Sequence, residues 1–68
     1  MAKITLKAAR VNSGLSQAEM AEKLGIDRTT VAKFETGEYP TRMLYVYAYS
    51  AVTGFSVDDF LLPNESTN

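Results

Sequence analysis

Four glycines divide this chain into short segments, and each glycine follows a stretch with helical character. Glycine is the residue most often found just past the end of a helix, and these four are Gly14, Gly25, Gly37 and Gly54. Residues that commonly cap helix N-termini precede the helical stretches: Thr5, Ser16, Asp27, Thr41 and Ser56. Together the two sets of signals predict five short helices, at about 6–13, 17–24, 28–36, 42–53 and 57–61.

The sequence does not predict strands, because it has no sustained alternation of apolar and polar residues and no Asn-Gly or Asp-Gly turn. Helices this short are unstable alone and must pack on one another. We therefore expect an all-α domain over residues 1–62, a compact bundle of five short helices, and a flexible polar tail at 63–68. Helical spacing of apolar residues predicts the inward positions: Leu6, Ala9, Met20, Ala21, Leu24, Val31, Phe34, Leu44, Ala48, Ala51 and Val52.

The 68 residues include no cysteine and no histidine. Disulfides and the usual zinc sites are therefore excluded, and we expect no metal and no cofactor. A domain this small buries only about 60% of its unfolded surface, which makes tight helix packing or association with a second copy important for stability. No stretch approaches the roughly 20 apolar residues of a membrane span. The start Met1-Ala2-Lys3 is unlike a signal peptide, and we expect a soluble, cytoplasmic protein.

The net charge of −1 is unusual for a protein that binds nucleic acid. Its distribution along the chain is uneven. Residues 1–42 hold all seven Lys and Arg and five of the eight acids, whereas residues 43–68 hold three acids and no base. This asymmetry is expected if one end of the molecule faces phosphates and the other end faces something else.

The segment 17–34 carries most of the information on function. Two predicted helices meet across a turn of about three residues, Gly25-Ile26-Asp27, and such a turn sets the helices at a steep angle. Ala21 is small where the next helix is expected to cross. Gly25 tolerates the positive φ that the turn requires. The pattern predicts a helix-turn-helix.

This segment resembles the helix-turn-helix of the lambda-type repressor and Cro family, also called the XRE family. The matching residues are Leu15-Ser16-Gln17, Ala18, Ala21, Leu24-Gly25, Ile26, Thr29-Thr30 and Glu35-Thr36-Gly37. A second match to the family pattern is Gly54-Phe55-Ser56-Val57-Asp58-Asp59-Phe60, so that the resemblance covers about residues 4–62. The sequence departs from the pattern in the loop 38–42, where one acid and one base replace a basic run.

The resemblance implies that the third helix docks in the major groove of double-stranded DNA. Its implied DNA-contacting residues are Ser16, Gln17, Arg28, Thr29, Thr30, Lys33, Thr36 and Arg42. Arg28 and Lys33 can donate hydrogen bonds to guanine edges, and the threonines can contact bases through their hydroxyl and methyl groups. Gln17 is implied to contact a phosphate and to brace the reading helix, and Arg42 to lie on the DNA backbone.

The resemblance also implies an internal ion pair between Arg10 and Glu35, with a phosphate contact by Arg10 as the alternative. Such proteins bind paired half-sites, so we expect a homodimer. The helices and segment after residue 42 carry more apolar surface than one small core can use, which favours a dimer surface there. Its expected residues are Tyr45, Tyr49, Phe55, Phe60, Leu61 and Leu62.

Three classes of function follow from these observations. The favoured one is a sequence-specific transcriptional regulator that binds double-stranded DNA, such as a phage- or plasmid-type repressor or Cro-like switch protein. The second is a protein-interaction module of the same fold, an antitoxin or an anti-repressor partner with weak DNA binding, which the acidic balance favours. An enzyme is the least supported, because the chain has no His or Cys and its neighbouring carboxylates fit helix N-termini and exposed faces.

Overall fold

In a computed structural model of the protein, residues 3–62 are described, and they form four α-helices, one 3₁₀ turn and a pair of very short strands. In chain order these elements are β1 (Ile4–Thr5), α1 (Leu6–Asn12), α2 (Gln17–Leu24), α3 (Arg28–Thr36), α4 (Met43–Thr53), the 3₁₀ turn (Val57–Asp59) and β2 (Phe60–Leu61). Residues 63–68, predicted to be a flexible polar tail, lie outside the described part of the chain.

The prediction of a fifth helix is wrong, and so is the expectation of a fold without strands. The capping box of Ser56 with Asp59 forms, but only a single 3₁₀ turn follows it. Phe60 adopts an extended backbone, with φ −84° and ψ 135°, and pairs in parallel with Ile4. Strands of two residues are too short to show an alternating pattern, so the sequence gives no sign of this pairing.

The N-terminal caps of α1 and α2 are confirmed, whereas those of α3 and α4 differ from the prediction. The hydroxyl of Thr5 accepts a hydrogen bond from the backbone of α1, and Ser16 forms a complete capping box on α2. Asp27 occupies the N-cap position of α3 but makes no side-chain capping bond. For α4 the N-cap is Arg42, whereas the hydroxyl of the predicted cap, Thr41, is buried and has no hydrogen-bond partner among the described residues.

One apolar core joins the four helices to β2. Its buried residues are Leu6, Ala9, Met20, Ala21, Val31, Phe34, Val46, Tyr49 and Phe60. The inward positions predicted for α1, α2 and α3 are largely confirmed. On α4 the prediction is wrong for Leu44, which is 68% exposed, and for Ala51, which is also exposed, whereas Val52 packs against the core as predicted. The prediction also omits Val46 and Tyr49, which are buried. Apolar residues surround α4 on most sides, so their spacing does not define its buried face.

The helices that the structure describes are all short. The longest, α4, has 11 residues, well below the roughly 20 that span a bilayer.

Candidate nucleic-acid interface

The turn between α2 and α3 determines which face of α3 is presented to the outside. Gly25 ends α2 in the left-handed conformation, with φ 73° and ψ 30°, where a side chain would be strained. The next residue, Ile26, donates its backbone N–H to the carbonyl of Ala21 at 3.0 Å and packs against the core. Val31 and Phe34 on α3 are buried at 0% and 5% exposure. These contacts leave the opposite face of α3 exposed to solvent.

The outward face of α3 is polar and carries the predicted reading residues. Arg28, Thr29 and Thr36 are exposed, and Thr30 and Lys33 are half-buried along its edges. The structure therefore brings all five onto one accessible face of one helix. Such a face suits base-edge recognition, since arginine and lysine are hydrogen-bond donors and a threonine hydroxyl is both donor and acceptor.

The Lys33 ammonium has two partners within the protein. Its ammonium donates to Oε2 of Glu38 at 3.1 Å and lies 5.1 Å from the ring centroid of Tyr39. The hydrogen bond to Glu38 raises the pKa of Lys33 above its ordinary value. Sequence reasoning treats Lys33 as a free donor and misses both partners, because the pair spans the end of α3 and falls outside the i, i+4 spacing of a continuous helix.

A buried carboxylate, that of Glu35, connects the four helices. It accepts hydrogen bonds from Arg10 Nε at 2.8 Å, Arg10 Nη2 at 3.1 Å, Gln17 Nε2 at 3.3 Å and the Tyr49 hydroxyl at 2.7 Å. The side chains of Arg10 and Glu35 are only 7% and 2% exposed. Arg10 also donates to the carbonyl of Leu15 at 2.8 Å. The predicted pairing of Arg10 with Glu35 is thus present in the structure. The Arg10 guanidinium is directed into the protein.

The pKa shifts in this network follow from its geometry. The hydrogen bond to Glu35 raises the pKa of Arg10. Burial raises the pKa of the Tyr49 hydroxyl far above its usual range, and the hydrogen bond to Glu35 adds to this shift. Both effects favour the protonated hydroxyl, which is the form that donates to Glu35.

Gln17 and Ser16 lie at the start of α2, where the resemblance implies phosphate contacts. The Gln17 amide contacts Glu35 on α3, which matches its implied bracing of the reading helix. The Ser16 hydroxyl accepts from the Glu19 N–H at 3.0 Å, and the Ser16 N–H donates to Glu19 Oε1 at 2.8 Å. The Glu19 carboxylate thus lies at the helix N-terminus, the position that a phosphate would take. Arg42 is exposed at the start of α4.

The residues predicted for a dimer surface do not all reach the surface. Tyr49 and Phe60 are 0% and 2% exposed within one chain, so that neither is available to a second copy without rearrangement. Tyr45 packs on Phe34 with ring centroids 4.8 Å apart. Phe55 and Leu62 are half-buried, and Leu61 is 43% exposed. Sequence reasoning missed the apolar residues that α4 does expose, which are Met43, Leu44 and Tyr47.

These features define a helix-turn-helix domain with a polar, accessible face on its second motif helix. A family model described as Helix-turn-helix matches residues 6–60. The chain belongs to this helix-turn-helix family, which confirms the resemblance drawn from its motifs, and its class is that of DNA-binding transcriptional regulators.

Among solved structures, the chain is similar to the crystal structure of a hypothetical transcription factor, NHTF, from Neisseria. The two share 31% sequence identity and superpose with a TM-score of 0.74. The match covers 91% of this chain and 70% of the other. Comparison with curated proteins found no significant match.

Proposed function

We propose that the protein is a cytoplasmic, sequence-specific regulator of transcription, of the phage or plasmid repressor and Cro-like kind, that binds double-stranded DNA as a homodimer. The observation that carries the proposal is the division of α3 into two faces. Val31 and Phe34 anchor one face in the core, while Arg28 and Thr29 stand exposed on the other. A helix held in this way can enter the major groove as a rigid element.

Five residues in and just after the helix-turn-helix have a chemical role in this proposal. Arg28, at the first position of α3, donates two hydrogen bonds to a guanine edge. Thr29 and Thr30 contact neighbouring bases. Gln17 and Arg42 contact phosphates on either side of the reading helix, which fixes the register of α3 without reading sequence.

We further propose that the homodimer forms through the exposed apolar face of α4. Met43 and Tyr47 lie four residues apart, which places them one above the other on the helix, and they are 49% and 58% exposed. Leu44, at 68% exposure, extends this face. A two-fold contact buries the same face on both copies and carries two reading helices to half-sites about one DNA turn apart.

The test is DNA binding by the purified protein to the DNA upstream of its own coding region and to unrelated DNA. We expect a sequence-preferring complex whose affinity falls as salt increases, because phosphate contacts release counterions. The double variant Arg28→Ala with Lys33→Ala should lose this complex, and Lys23→Ala on the exposed side of α2 serves as the control. No salt-sensitive, sequence-preferring complex with the wild-type protein would overturn the proposal.

A protein-interaction module of the same fold is the second candidate. Two carboxylates on the proposed DNA side favour it: Glu38 accepts a hydrogen bond from Lys33, and Glu19 lies at the N-terminus of α2. Both would repel phosphate. The same double variant separates the two candidates, because it should abolish DNA binding but leave binding to a protein partner unchanged.

A further inference from the structure

The end of α3 folds back on itself and brings an acidic and an aromatic side chain onto Lys33. After Thr36 the chain turns at Gly37, which has φ 85°, and the Tyr39 N–H donates to the Lys33 carbonyl at 3.2 Å. This bond places Glu38 and Tyr39 beside the Lys33 side chain. We call these three residues the Lys33 cluster.

The aromatic side of the Lys33 cluster is attached to the core. The Tyr39 ring packs edge-on against Phe34, with centroids 6.3 Å apart, and Phe34 is 5% exposed. The Lys33 ammonium lies 5.1 Å from the Tyr39 ring centroid and 3.1 Å from the Glu38 carboxylate. Lys33 therefore lies between an anion and a ring that contacts the core at one edge and is itself 42% exposed. The Lys33 side chain is 30% exposed.

The Glu38 carboxylate is an anion, as a DNA phosphate is. It binds the Lys33 ammonium that a phosphate would also attract. Lysine recognises phosphate as a compact point charge with three donors. A lysine that contacts DNA must give up Glu38 or share its ammonium with it. Glu38 itself is 62% exposed and faces the DNA side together with Lys33.

We propose that the Glu38 carboxylate competes with DNA phosphate for the Lys33 ammonium. By doing so, Glu38 lowers the affinity of the protein for DNA of any sequence. Glu38 acts through Lys33 and is a positioning residue in this role. The inference rests on the proposed DNA-binding function. It accounts for a glutamate in a loop that, by resemblance, is otherwise basic.

The test compares wild type with Glu38→Gln, Lys33→Gln and the double variant in binding to a non-specific DNA duplex over a series of salt concentrations. Glu22→Gln removes the same charge from an exposed position on α2 and is the matched control. Exposed ion pairs are weak, so we expect Glu38→Gln to bind about two- to fivefold more tightly. The slope of log affinity against log salt should become steeper by about one, because one more lysine reaches phosphate. In the Lys33→Gln background the Glu38→Gln change should lose most of its effect.

The outcomes separate this inference from the proposed function. The inference is overturned if the wild type binds DNA but Glu38→Gln binds no more tightly. It is also overturned if the Glu22→Gln control gains the same affinity. Either result leaves the proposed DNA binding intact. A gain that persists fully in the Lys33→Gln background also overturns the inference, because Glu38 would then repel DNA directly. No binding by any of the proteins overturns the inference and the proposed function together. Thermal melting of each variant verifies that it is folded.

Discussion

Glu35 shows how much a single buried carboxylate can organise in a chain this small. Its side chain is 2% exposed and accepts hydrogen bonds from Arg10, Gln17 and Tyr49, which lie on three different helices. A buried charge is tolerated only where partners satisfy it. The network therefore stabilises one arrangement of the helices, and it includes a residue of α2 that is proposed to contact phosphate.

The Arg10→Ala variant should behave as a folding mutant. It leaves the Glu35 carboxylate buried without its cation, and breaking a buried ion pair on one side costs about 3–5 kcal/mol. In a domain of this size 1 kcal/mol lowers the melting temperature by roughly 4–8 °C, so the loss should exceed about 10 °C. Lys7→Ala, exposed on the same helix, should melt like wild type. An unchanged melting temperature for Arg10→Ala would contradict the structural role of the pair.

The Tyr49→Phe variant isolates the contribution of one hydroxyl. The ring and its packing remain, while the 2.7 Å hydrogen bond to Glu35 is lost. Hydrogen bonds to charged groups contribute about 1.5–3 kcal/mol, so Tyr49→Phe should melt below wild type but above Arg10→Ala. Tyr47→Phe, on the exposed face of α4, is the matched control. Equal melting of Tyr49→Phe and its control would show that the hydroxyl contributes nothing.

At the residue scale the sequence predicts the parts of this network that belong to a motif. The pairing of Arg10 with Glu35 and the bracing role of Gln17 both follow from the resemblance. The Tyr49 hydroxyl does not, because an apolar helix gives no sign that one of its tyrosines directs its polar end into the core. Glu38 is recognised only as a departure from the pattern, since its partnership with Lys33 depends on how the chain turns after Gly37.

At the scale of elements, local chemistry predicts helix starts where a side chain can reach its own backbone. Ser16 and Glu19 satisfy each other and the start of α2, and the sequence pattern of a capping box specifies this arrangement. Asp27 and Thr41 carry suitable side chains but make no capping bond. A suitable side chain near the start of a helix is therefore not sufficient for a capping bond.

The capping box of α2 should give the protein a pH-dependent component of stability. Hydrogen bonds from Ser16 lower the pKa of Glu19 below its ordinary value. The folded state therefore favours the charged form, and its contribution is complete above the ordinary glutamate pKa of about 4.3 and is lost as the pH falls through the lowered value. Melting curves should show wild type losing more stability than Glu19→Gln between pH 5 and pH 2. Parallel losses in the two proteins would contradict this account.

Two elements could not be predicted because their determinants are not local. The buried face of α4 depends on which of several apolar stripes meets the core. The pairing of β1 with β2 joins Ile4 to Phe60 and Thr5 to Leu61, residues from opposite ends of the domain, over a length too short to show periodicity. The predicted helix-turn-helix, by contrast, is set by turn chemistry within a few residues.

At the scale of the whole molecule, the positive charge available for DNA is small. Of the seven Lys and Arg in the chain, Arg10 and Lys33 are paired with acids inside the described part of the structure. Few phosphate contacts give a shallow dependence on salt. Much of the affinity is therefore expected to come from base contacts and from the pairing of two α3 helices in a dimer.

The Tyr47→Glu variant tests that pairing. It places a charge on the exposed face of α4 proposed for the dimer, without touching the core or α3. Sedimentation equilibrium should show wild type dimerising as concentration rises and Tyr47→Glu remaining monomeric, with weaker binding to a two-half-site DNA. Val11→Glu, at an apolar position 58% exposed on α1, should dimerise like wild type. A wild-type protein that stays monomeric, or a Tyr47→Glu variant that dimerises equally well, would contradict the proposed interface.

If the outward face of α3 reads base edges, removing the exposed Arg28 side chain should change which sequence the protein prefers. Bound sequences should be selected from random duplex DNA by wild type and by Arg28→Ala, followed by affinity measurements on the preferred site. We expect wild type to prefer one base at a defined position in each half-site. Arg28→Ala should lose that preference and bind the site about 1–3 kcal/mol less tightly. The same preferred sequence and affinity for both proteins would show that this helix does not read DNA through Arg28.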